Sequence, residues 1–384
     1  MNIGIVCYAS MGGSGIVAVE LGKALAVRGH EVHVISADQP FRLGTFESGL
    51  AFHRVQTPSY PLFHEPQYLL SLTNTMVRVA REQGLDLVHA HYAVPHATAG
   101  ILARQVLAAS TPGGAPCVVT TLHGTDITVV GADPSYSEIV AFSIDQSDGV
   151  TAVSASLRDT TCRELSIHRN IEVIPNFLDC QTYRRIDAAA LRRRYTKGNP
   201  DTRLVMHMSN FRPVKRIDSV VEVFARIAAT VPAVLLLVGD GPDLALARRL
   251  AVQLGLSDRV QYLGAQENVI PLLSTADVFL LPSEQESFGL AALEAMACEV
   301  PVVASDAGGL PEVIEHGVGG FLHAVGDVDS MAASAVAVLT DEALRGRIVR
   351  AALRSVRERF CADRIVPLYE AHYERVLARR SPVR

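Results

Sequence analysis

Cysteine is scarce in this sequence and never falls in a metal-binding pattern. The six cysteines form no CxxC pair, and none stands at metal-ligand spacing from a histidine. We therefore expect no metal site, and free, mostly buried thiols of the kind that persist in a reducing cytoplasm. The positions concerned are Cys7, Cys117, Cys162, Cys180, Cys298 and Cys361.

The chain also lacks an excess of positive charge and any long apolar run. Its formal net charge of −5 argues against a nucleic-acid partner. The longest apolar run, VPAVLLLVG at 231–239, is too short to span a bilayer. The N-terminal NIGIVCY is typical of a strand, with no basic leader before it. We expect a soluble, cytoplasmic protein with no membrane partner.

Short β-rich runs alternate with helical stretches along the 384 residues, which predicts two α/β domains. We place an N-terminal domain at 1–180 and a C-terminal domain at 181–364, with a final helix at 365–384 crossing back to the first. Each domain is predicted to be a doubly wound, Rossmann-like parallel sheet, the two facing across a cleft. Ligands of such sheets bind at the carboxyl ends of the strands. The predicted strands are 2–8, 30–36, 85–91, 116–123, 149–154 and 171–179, then 203–209, 233–242, 259–264, 278–283 and 301–309.

A glycine cluster, SMGGSG at 10–15, separates the first strand from the first helix. Gly12 and Gly13 permit a ligand to approach the backbone at a helix start, where free amides favour anions. The spacing is not GxGxxG, and Asp38 is only a weak candidate for a ribose ligand. A dinucleotide site and a simple tight turn explain this cluster about equally well.

Histidines follow two of the predicted strands, in HAHYAVPHA (89–97) and TTLHGTD (120–126). His123 has Thr121 and Asp126 as polar neighbours at a strand end, which favours a functional role. A metal bound by His89, His91 and His96 is less favoured than packing or acceptor contact, since no carboxylate or cysteine completes a ligand set.

Cations and carboxylates follow the strands of the second half. SNFRPVKR (209–216) carries Lys215, which could neutralise a diphosphate or belong to an ordinary basic loop. In EQESFGLAALEAM (284–296) we predict a helix from about Ser287, with Glu286 just before it and Glu294 roughly two turns inside it. Because that helix is nearly all apolar, Glu294 should be buried and need a partner or a ligand. Carboxylates accept hydrogen bonds from vicinal hydroxyls, so a sugar and a ribose are candidates.

Taken together, these motifs resemble the retaining GT-B glycosyltransferases of family four. The resemblance rests on the E-x7-E pattern, PVVASDAGGLPEVI (301–314), IPNFLD (174–179), VGDGP (238–242) and the N-terminal GGSG, and it covers nearly the whole chain in order. It implies a first domain that binds the acceptor and a second that binds a nucleotide sugar. No cofactor and no metal are implied, and a homodimer is expected.

A narrower resemblance is to the family members that transfer N-acetylglucosamine from UDP-N-acetylglucosamine to the hydroxyl of L-malate, the first step of bacillithiol biosynthesis. PFRL (40–43), HAHYAVPHA, TTLHGTDIT, SNFRPVKR and ESFGLAALEAMA are similar to that subgroup. It implies His123, Lys215 and Glu286 as catalytic residues and Glu294 as the ribose ligand. The implied acceptor residues are Ser14, Tyr92, Thr121 and His123. The implied donor residues are Gly13, Asn210, Arg212, Lys215, Gly239, Glu286, Ser287, Phe288, Gly289, Leu290 and Glu294.

One position departs from the family pattern. Members often have an arginine five residues before the lysine; here that position is Asn210, and Arg212 stands nearby. Three alternatives to malate transfer stay open. The first is another acceptor, such as inositol phosphate or a lipid-linked sugar. The second is a UDP-N-acetylglucosamine 2-epimerase, which would turn over donor without acceptor, and the third is a non-enzymatic nucleotide-sugar sensor.

Overall fold

The computed structural model describes residues 1–9, 12–44, 48–59, 67–110 and 114–380. The chain divides into two compact units. The first comprises Met1–Asn176 together with the chain from Ala362 onward, and the second comprises Phe177–Cys361. In the described residues no helix combines the length and the apolar character needed to cross a membrane.

The first unit contains a seven-stranded parallel sheet. Its strands lie side by side in the order β3-β2-β1-β4-β5-β6-β7. The bounds are β1 Asn2–Val6, β2 Glu31–Ser36, β3 Leu50–Arg54, β4 Leu87–His91, β5 Cys117–Leu122, β6 Gly149–Ala152 and β7 Glu172–Val173. The helices of this unit are α1 Gly13–Val27, α2 Tyr68–Gln83, α3 Thr98–Ser110, α4 Ser137–Gln146, α5 Ala155–Glu164 and, from the end of the chain, α14 Ala362–Arg380.

The second unit repeats the plan with six parallel strands, in the order β10-β9-β8-β11-β12-β13. These are β8 Arg203–Met208, β9 Ala233–Val238, β10 Val260–Gly264, β11 Val278–Leu281, β12 Val302–Ser305 and β13 Phe321–His323. The helices are α6 Ala189–Tyr195, α7 Ile217–Thr230, α8 Leu244–Gln253, α9 Ile270–Leu273, α10 Leu290–Ala297, α11 Leu310–Val313, α12 Val328–Thr340 and α13 Glu342–Arg359.

Apolar residues on both faces of the central strands explain why helices cover each sheet. β1, β4, β5, β9 and β11 are almost entirely buried, as strands between two helical layers should be. Side chains also define several helix starts: Ser154, Asp327 and Asp341 each accept a hydrogen bond from a backbone amide in the first turn. The predicted α/β class with two Rossmann-like parallel sheets is therefore confirmed.

The strand order puts one topological switch point in each unit. In the first sheet β1 lies between β2 and β4, and in the second sheet β8 lies between β9 and β11. At such a point the connections leave the sheet in opposite directions and open a crevice at the carboxyl ends of the strands. The residues that follow β1, β4, β8 and β11 are thus the first place to look for a ligand site.

Two of the expected thiols are joined in a disulfide, so the prediction of free thiols is wrong for Cys180 and Cys361. They are 181 residues apart in sequence, but Leu178 pairs with Cys361, and the Leu178 amide donates to the carbonyl of Phe360 at 3.0 Å. This pairing brings the two Cα atoms to 5.5 Å, within reach of a disulfide. The free cysteines in the described residues are Cys7, Cys117, Cys162 and Cys298.

Candidate functional site

Four loops meet at the carboxyl edge of the second sheet, and glycines let them approach one another. A Cβ on Gly239, after β9, would lie 1.8 Å from the carbonyl oxygen of Ser209, after β8. A Cβ on Gly308, after β12, would lie 2.0 Å from the carbonyl oxygen of Glu286, after β11. Both glycines have positive φ, of 119° and 56°, which side chains rarely adopt. Gly239, one of the expected donor residues, therefore lets two backbone segments of the protein itself approach closely.

Lys215 and Glu286 form an ion pair across the switch point of this sheet. Lys215 ends a short 3₁₀ turn, Pro213–Lys215, that follows β8, and Glu286 lies in the loop after β11. The ammonium donates to Oε1 of Glu286 at 2.6 Å, and Ser283 donates to the same oxygen at 3.0 Å. A backbone bond from Glu284 to the carbonyl of Val214, 2.8 Å long, ties the two loops together. Two of the predicted catalytic residues are therefore in direct contact, 71 positions apart in sequence.

The helix after Glu286 begins later than predicted. α10 starts at Leu290, with Gly289 in the left-handed region as its N-cap, so the expected start at Ser287 is wrong. Ser287 and Phe288 belong to the preceding turn, in which the amide of Gly309 donates to the carbonyl of Glu286 at 2.8 Å. The reason is that Gly289 adopts a φ of 96°, which no continuing α-helix contains. Glu294 consequently lies little more than one turn inside α10.

Glu294 is buried, as the apolar surroundings predict. Only 3% of its surface is exposed, and the hydroxyl of Tyr183 donates to its Oε1 at 2.9 Å. Tyr183 was not predicted from the sequence, because it is 111 residues from Glu294 and no local pattern connects the two. The side chain of another residue in the same unit thus supplies a hydrogen bond to this buried carboxylate.

Asn210 and Arg212 both lie on the loop between β8 and Lys215. Their side chains are exposed, while Phe211 between them is fully buried and anchors the loop. The carbonyl of Arg212 accepts a bond from the Lys215 amide at 2.8 Å. The backbone of Arg212 therefore positions Lys215, while the side chain of Arg212 is exposed on the same loop.

In the first unit, the glycine cluster leads directly into α1. Ser10 and Met11 lie outside the described residues. Gly12 is the N-cap of α1, Gly13 is exposed at its first position, and Ser14 is 9% exposed in its first turn. The order strand, glycines, helix start is as predicted.

The histidines of the first unit gather at the ends of β4 and β5. Nδ1 of His91 is 2.9 Å from Nε2 of His123, and the two rings are stacked with centroids 5.0 Å apart. The ring of Tyr92 lies 5.4 Å from that of His123, and the backbone of Tyr92 has a φ of 94°. Burial lowers the pKa of His123 to about 3, so its imidazole is neutral at physiological pH.

Thr121, predicted as an acceptor contact, lies in the core of the sheet instead. It has no exposed surface, and its hydroxyl bonds to Nε2 of His89 and to the hydroxyl of Thr151, both at 2.6 Å. Nδ1 of His89 in turn bonds to the hydroxyl of Tyr373 on α14 at 2.7 Å. Among the described residues no group of three or more His, Cys, Asp or Glu side chains is placed to hold a metal ion.

Asp126 fixes the loop that carries His123. Its Oδ1 accepts the amides of His123 at 3.1 Å and Gly124 at 2.8 Å, and its Oδ2 accepts the amide of Ala93 at 3.4 Å. Burial nevertheless raises the pKa of this carboxyl to about 6. Asp126 was predicted only as a polar neighbour, although a carboxylate a few residues after a strand end is a usual way to hold such a loop.

A cavity of about 380 Å³ lies at the opposite edge of the first sheet, where β6 and β7 begin. Its lining includes Glu172, His372 and Arg375, and both His372 and Arg375 bond to the carboxylate of Glu172 at 2.7 Å. Arg169, also in the lining, donates to the carbonyls of Ile144 and Asp145 at the end of α4. The bonds from His372 and Arg375 to Glu172 attach α14 to β7, and none of the predicted site residues lines this cavity.

Two glycosyltransferase family models match the chain. The model described as Glycosyltransferase Family 4 matches residues 11–182, and the model described as Glycosyl transferases group 1 matches residues 191–355. Each match falls largely within one of the two sheet-containing units. The chain therefore belongs to this family of glycosyltransferases, and its two parallel-sheet units are those of the GT-B fold.

Individual relatives fall within the same class. The chain is 46% identical over 377 residues to the N-acetyl-alpha-D-glucosaminyl L-malate synthase of Bacillus anthracis, covering 98% of this chain and 97% of the relative. It is 32% identical to the D-inositol 3-phosphate glycosyltransferase of Mycolicibacterium smegmatis, over 82% and 76% of the two chains.

Solved structures share the fold at lower sequence identity. Sucrose-phosphate synthase from Thermosynechococcus elongatus has a TM-score of 0.82 at 23% identity, covering 99% of this chain and 100% of the other. Anabaena HepE in complex with UDP and glucose has a TM-score of 0.82 at 21% identity, covering 97% and 99%. At this identity the likeness concerns the fold.

Proposed function

We propose that this glycosyltransferase transfers N-acetylglucosamine from UDP-N-acetylglucosamine to the hydroxyl of L-malate, with retention of the α-configuration and release of UDP. The nearly full-length similarity to the Bacillus anthracis synthase, at 46% identity, supports both substrates. The observation that carries the reaction type is the contact between Lys215 and Glu286 at the switch point of the second sheet.

Lys215 and Glu286 are suited to the two parts of the donor. The Lys215 ammonium would neutralise the charge that builds on the departing diphosphate. Glu286 would then accept hydrogen bonds from hydroxyls of the transferred sugar, which becomes oxocarbenium-like as the bond breaks. In the proposed step the bond from the anomeric carbon to the UDP oxygen breaks and a bond to the malate oxygen forms on the same face. The proton of the malate hydroxyl passes to the leaving phosphate, so no protein nucleophile is needed.

Glu294 would hold the ribose, and the turn before it would face the phosphates. Glu294 is on the first turns of α10, whose N-cap is Gly289, so the free amides of the helix start favour an anion close by. The buried carboxylate accepts a hydrogen bond from Tyr183, and a ribose hydroxyl would supply a further one. Gly13, Asn210 and Arg212 remain proposed donor contacts.

The acceptor would bind in the first unit, at the ends of β4 and β5. Ser14, Tyr92 and His123 are the proposed contacts. Thr121 is omitted from this set because its hydroxyl is bonded within the sheet core. L-Malate carries two carboxylates, whose oxygens accept hydrogen bonds from donors such as a hydroxyl or an imidazole N–H.

Transfer to an inositol phosphate is the second candidate. The 32% identity to the Mycolicibacterium smegmatis enzyme favours it as the next acceptor to test. The cytoplasmic location stays a prediction from composition and from the N-terminal sequence, and the homodimer stays a prediction from the family resemblance.

The test is UDP release from UDP-N-acetylglucosamine, measured with L-malate, with inositol 3-phosphate and without acceptor. We expect release that depends on malate and that saturates. Saturable UDP release with inositol 3-phosphate but not with malate would identify inositol 3-phosphate as the acceptor and overturn the malate proposal. Equal turnover without any acceptor, with a changed sugar rather than a conjugate, would support the epimerase alternative and overturn the transferase proposal.

A further inference from the structure

The contact between His91 and His123 restricts which nitrogen of each ring carries the proton. One of the two must donate, since Nδ1 of His91 and Nε2 of His123 are 2.9 Å apart. Burial holds the pKa values of both rings below the usual range, so both are neutral and each carries a single N–H. Two arrangements remain, and they present opposite chemistry at Nδ1 of His123.

The surroundings of His91 distinguish the two arrangements. Nε2 of His91 is buried and has no hydrogen-bond partner among the residues that the structure describes. If Nε2 carried the proton, an N–H group would be buried without an acceptor, which is rare and costly in proteins. If Nδ1 carries it, only a bare lone pair is left unpaired.

His96 shows that this part of the fold contains such a bare nitrogen. Its Nδ1 contacts the carbonyl oxygen of His91, which can only accept, so Nδ1 of His96 carries the proton. Nε2 of His96 is then a buried lone pair without a partner in the described structure. The same bond also fixes the backbone from which the His91 side chain projects.

We propose that His91 donates from Nδ1 to Nε2 of His123 and thereby holds His123 as its Nδ1–H tautomer. His91 is a positioning residue in this scheme. His123 is partly buried as a residue, and the hydrogen bond that its ring makes to the described residues uses Nε2 and leaves Nδ1 available. His123 then offers an N–H to an oxygen of the substrate and has no free lone pair with which to act as a base.

The consequence for the reaction is specific, and it rests on the proposed function only for the identity of that oxygen. A neutral N–H donor suits a carboxylate or hydroxyl oxygen of the acceptor, or a hydroxyl of the sugar. Removal of the acceptor proton must then fall to another group, in agreement with its transfer to the leaving phosphate.

The tautomer can be measured directly by two-bond ¹H–¹⁵N spectra of the full chain labelled at histidine nitrogens. The His123→Gln variant identifies the His123 signals by subtraction. We expect the wild-type protein to show a protonated Nδ1 and a bare Nε2 at His123. A protonated Nε2 at His123 would overturn the proposal, whether or not the protein transfers a sugar.

Two substitutions of His91 test its role. His91→Asn keeps an N–H donor near the position of Nδ1, and His91→Phe keeps a flat ring without one. We expect His91→Asn to keep the tautomer, and His91→Phe to mix the tautomers and lower kcat/KM about tenfold, the worth of one buried hydrogen bond. Equal loss in both variants, with the tautomer unchanged, would mean that His91 only packs.

A second histidine pair in the same sheet provides a matched control. Nδ1 of His33 on β2 is 3.0 Å from Nε2 of His53 on β3, away from the ends of β4 and β5. His33→Phe removes a similar bond between neutral rings. It should leave the His123 spectrum and kcat/KM unchanged, and a change equal to that of His91→Phe would count against a specific role for His91.

Discussion

The positive charge of Lys215 is central to the proposed reaction, because it stabilises the departing diphosphate. Its side chain is 21% exposed and that of Glu286 is 11% exposed, so solvent screens the pair incompletely. Lys215→Ala should lower kcat by about 100-fold or more, because the departing diphosphate loses a cation that acts in the transition state. Steady-state kinetics in both substrates is the measurement, with the exposed Lys197→Ala as control. A larger change in the KM for malate than in kcat would assign Lys215 to the acceptor instead.

Glu294 can be tested separately from its protein partner. Glu294→Gln keeps the shape and removes the charge, and Tyr183→Phe removes only the hydroxyl that bonds to it. We expect Glu294→Gln to weaken UDP binding about tenfold in calorimetry, since charged acceptors bind hydroxyls more strongly than neutral ones. Tyr183→Phe should change UDP affinity less. The reverse order would make Glu294 a structural partner of Tyr183 rather than a ribose ligand.

At the scale of elements, two glycines in loops of the second unit allow the cost of a left-handed backbone to be separated from the cost of a steric clash with a neighbouring loop. Gly308 has a φ of 56°, and a Cβ there would meet the carbonyl oxygen of Glu286. Gly326 has a φ of 83° with nothing within 4 Å of a Cβ. Gly326→Ala should cost about 1–2 kcal/mol from the left-handed backbone alone. Gly308→Ala should cost more and also lower activity, because the Glu286 loop must shift. Equal thermal stability of the two variants would contradict this view of the loop packing.

The disulfide is a further prediction at this scale. Protein purified in air and denatured without reductant should show four reactive thiols, because Cys180 and Cys361 are joined. After reduction it should show six, the number in the sequence. Six thiols before reduction would show that the two cysteines are separate in the protein as isolated.

The central strands of both sheets could be predicted from the sequence, whereas an edge strand of each sheet could not. Runs such as AVLLLV in β9 are apolar on both faces, which is typical of a strand covered by helices on both sides. The strands that were not predicted, β3 and β13, lie at sheet edges. They contain five and three residues and are only partly buried, so their apolar pattern is weak. The start of α10 was misplaced because the left-handed Gly289 ends the turn, a conformation that spacing does not reveal.

The site was predictable only where its residues lie close to strand ends. His123, Lys215 and Glu286 each follow a strand, and parallel topology then places such ends at one edge of a sheet. Tyr183 and the Cys180–Cys361 pair depend on contacts over more than a hundred residues. The partners of the Thr121 hydroxyl, His89 and Thr151, are 32 and 30 residues away, and no local pattern indicates them.

At the scale of the whole molecule, buried neutral histidines should make stability depend on pH. Burial lowers the pKa of His96 and His207 to about 4 and that of His123 to about 3, and it also lowers those of His89 and His91. The unfolded chain binds more protons than the folded one below pH 6.5, so stability is full above that pH and falls on acidification. Asp126 changes the stability in the opposite direction between about pH 4 and 6, because its pKa is raised in the folded protein. Its contribution offsets that of about one histidine.

Melting curves followed by circular dichroism at pH 7.5 and pH 5.0 measure this effect. We expect a melting temperature several degrees lower at pH 5.0, since each such histidine contributes up to about 1.4 kcal/mol per pH unit in that window. His96→Phe removes one of these groups and should make the drop shallower. A melting temperature that is equal or higher at pH 5.0 would mean that these rings are not kept neutral by the fold.

The most direct test of the proposed reaction is the structure of its product. UDP-N-acetylglucosamine and L-malate should be incubated with the enzyme, and the product isolated for mass spectrometry and proton NMR. We expect one conjugate, N-acetylglucosamine joined to the malate hydroxyl, with an α-anomeric coupling like that of the donor. A β-linked product would contradict the retaining mechanism, and the absence of any malate conjugate would contradict the proposed acceptor.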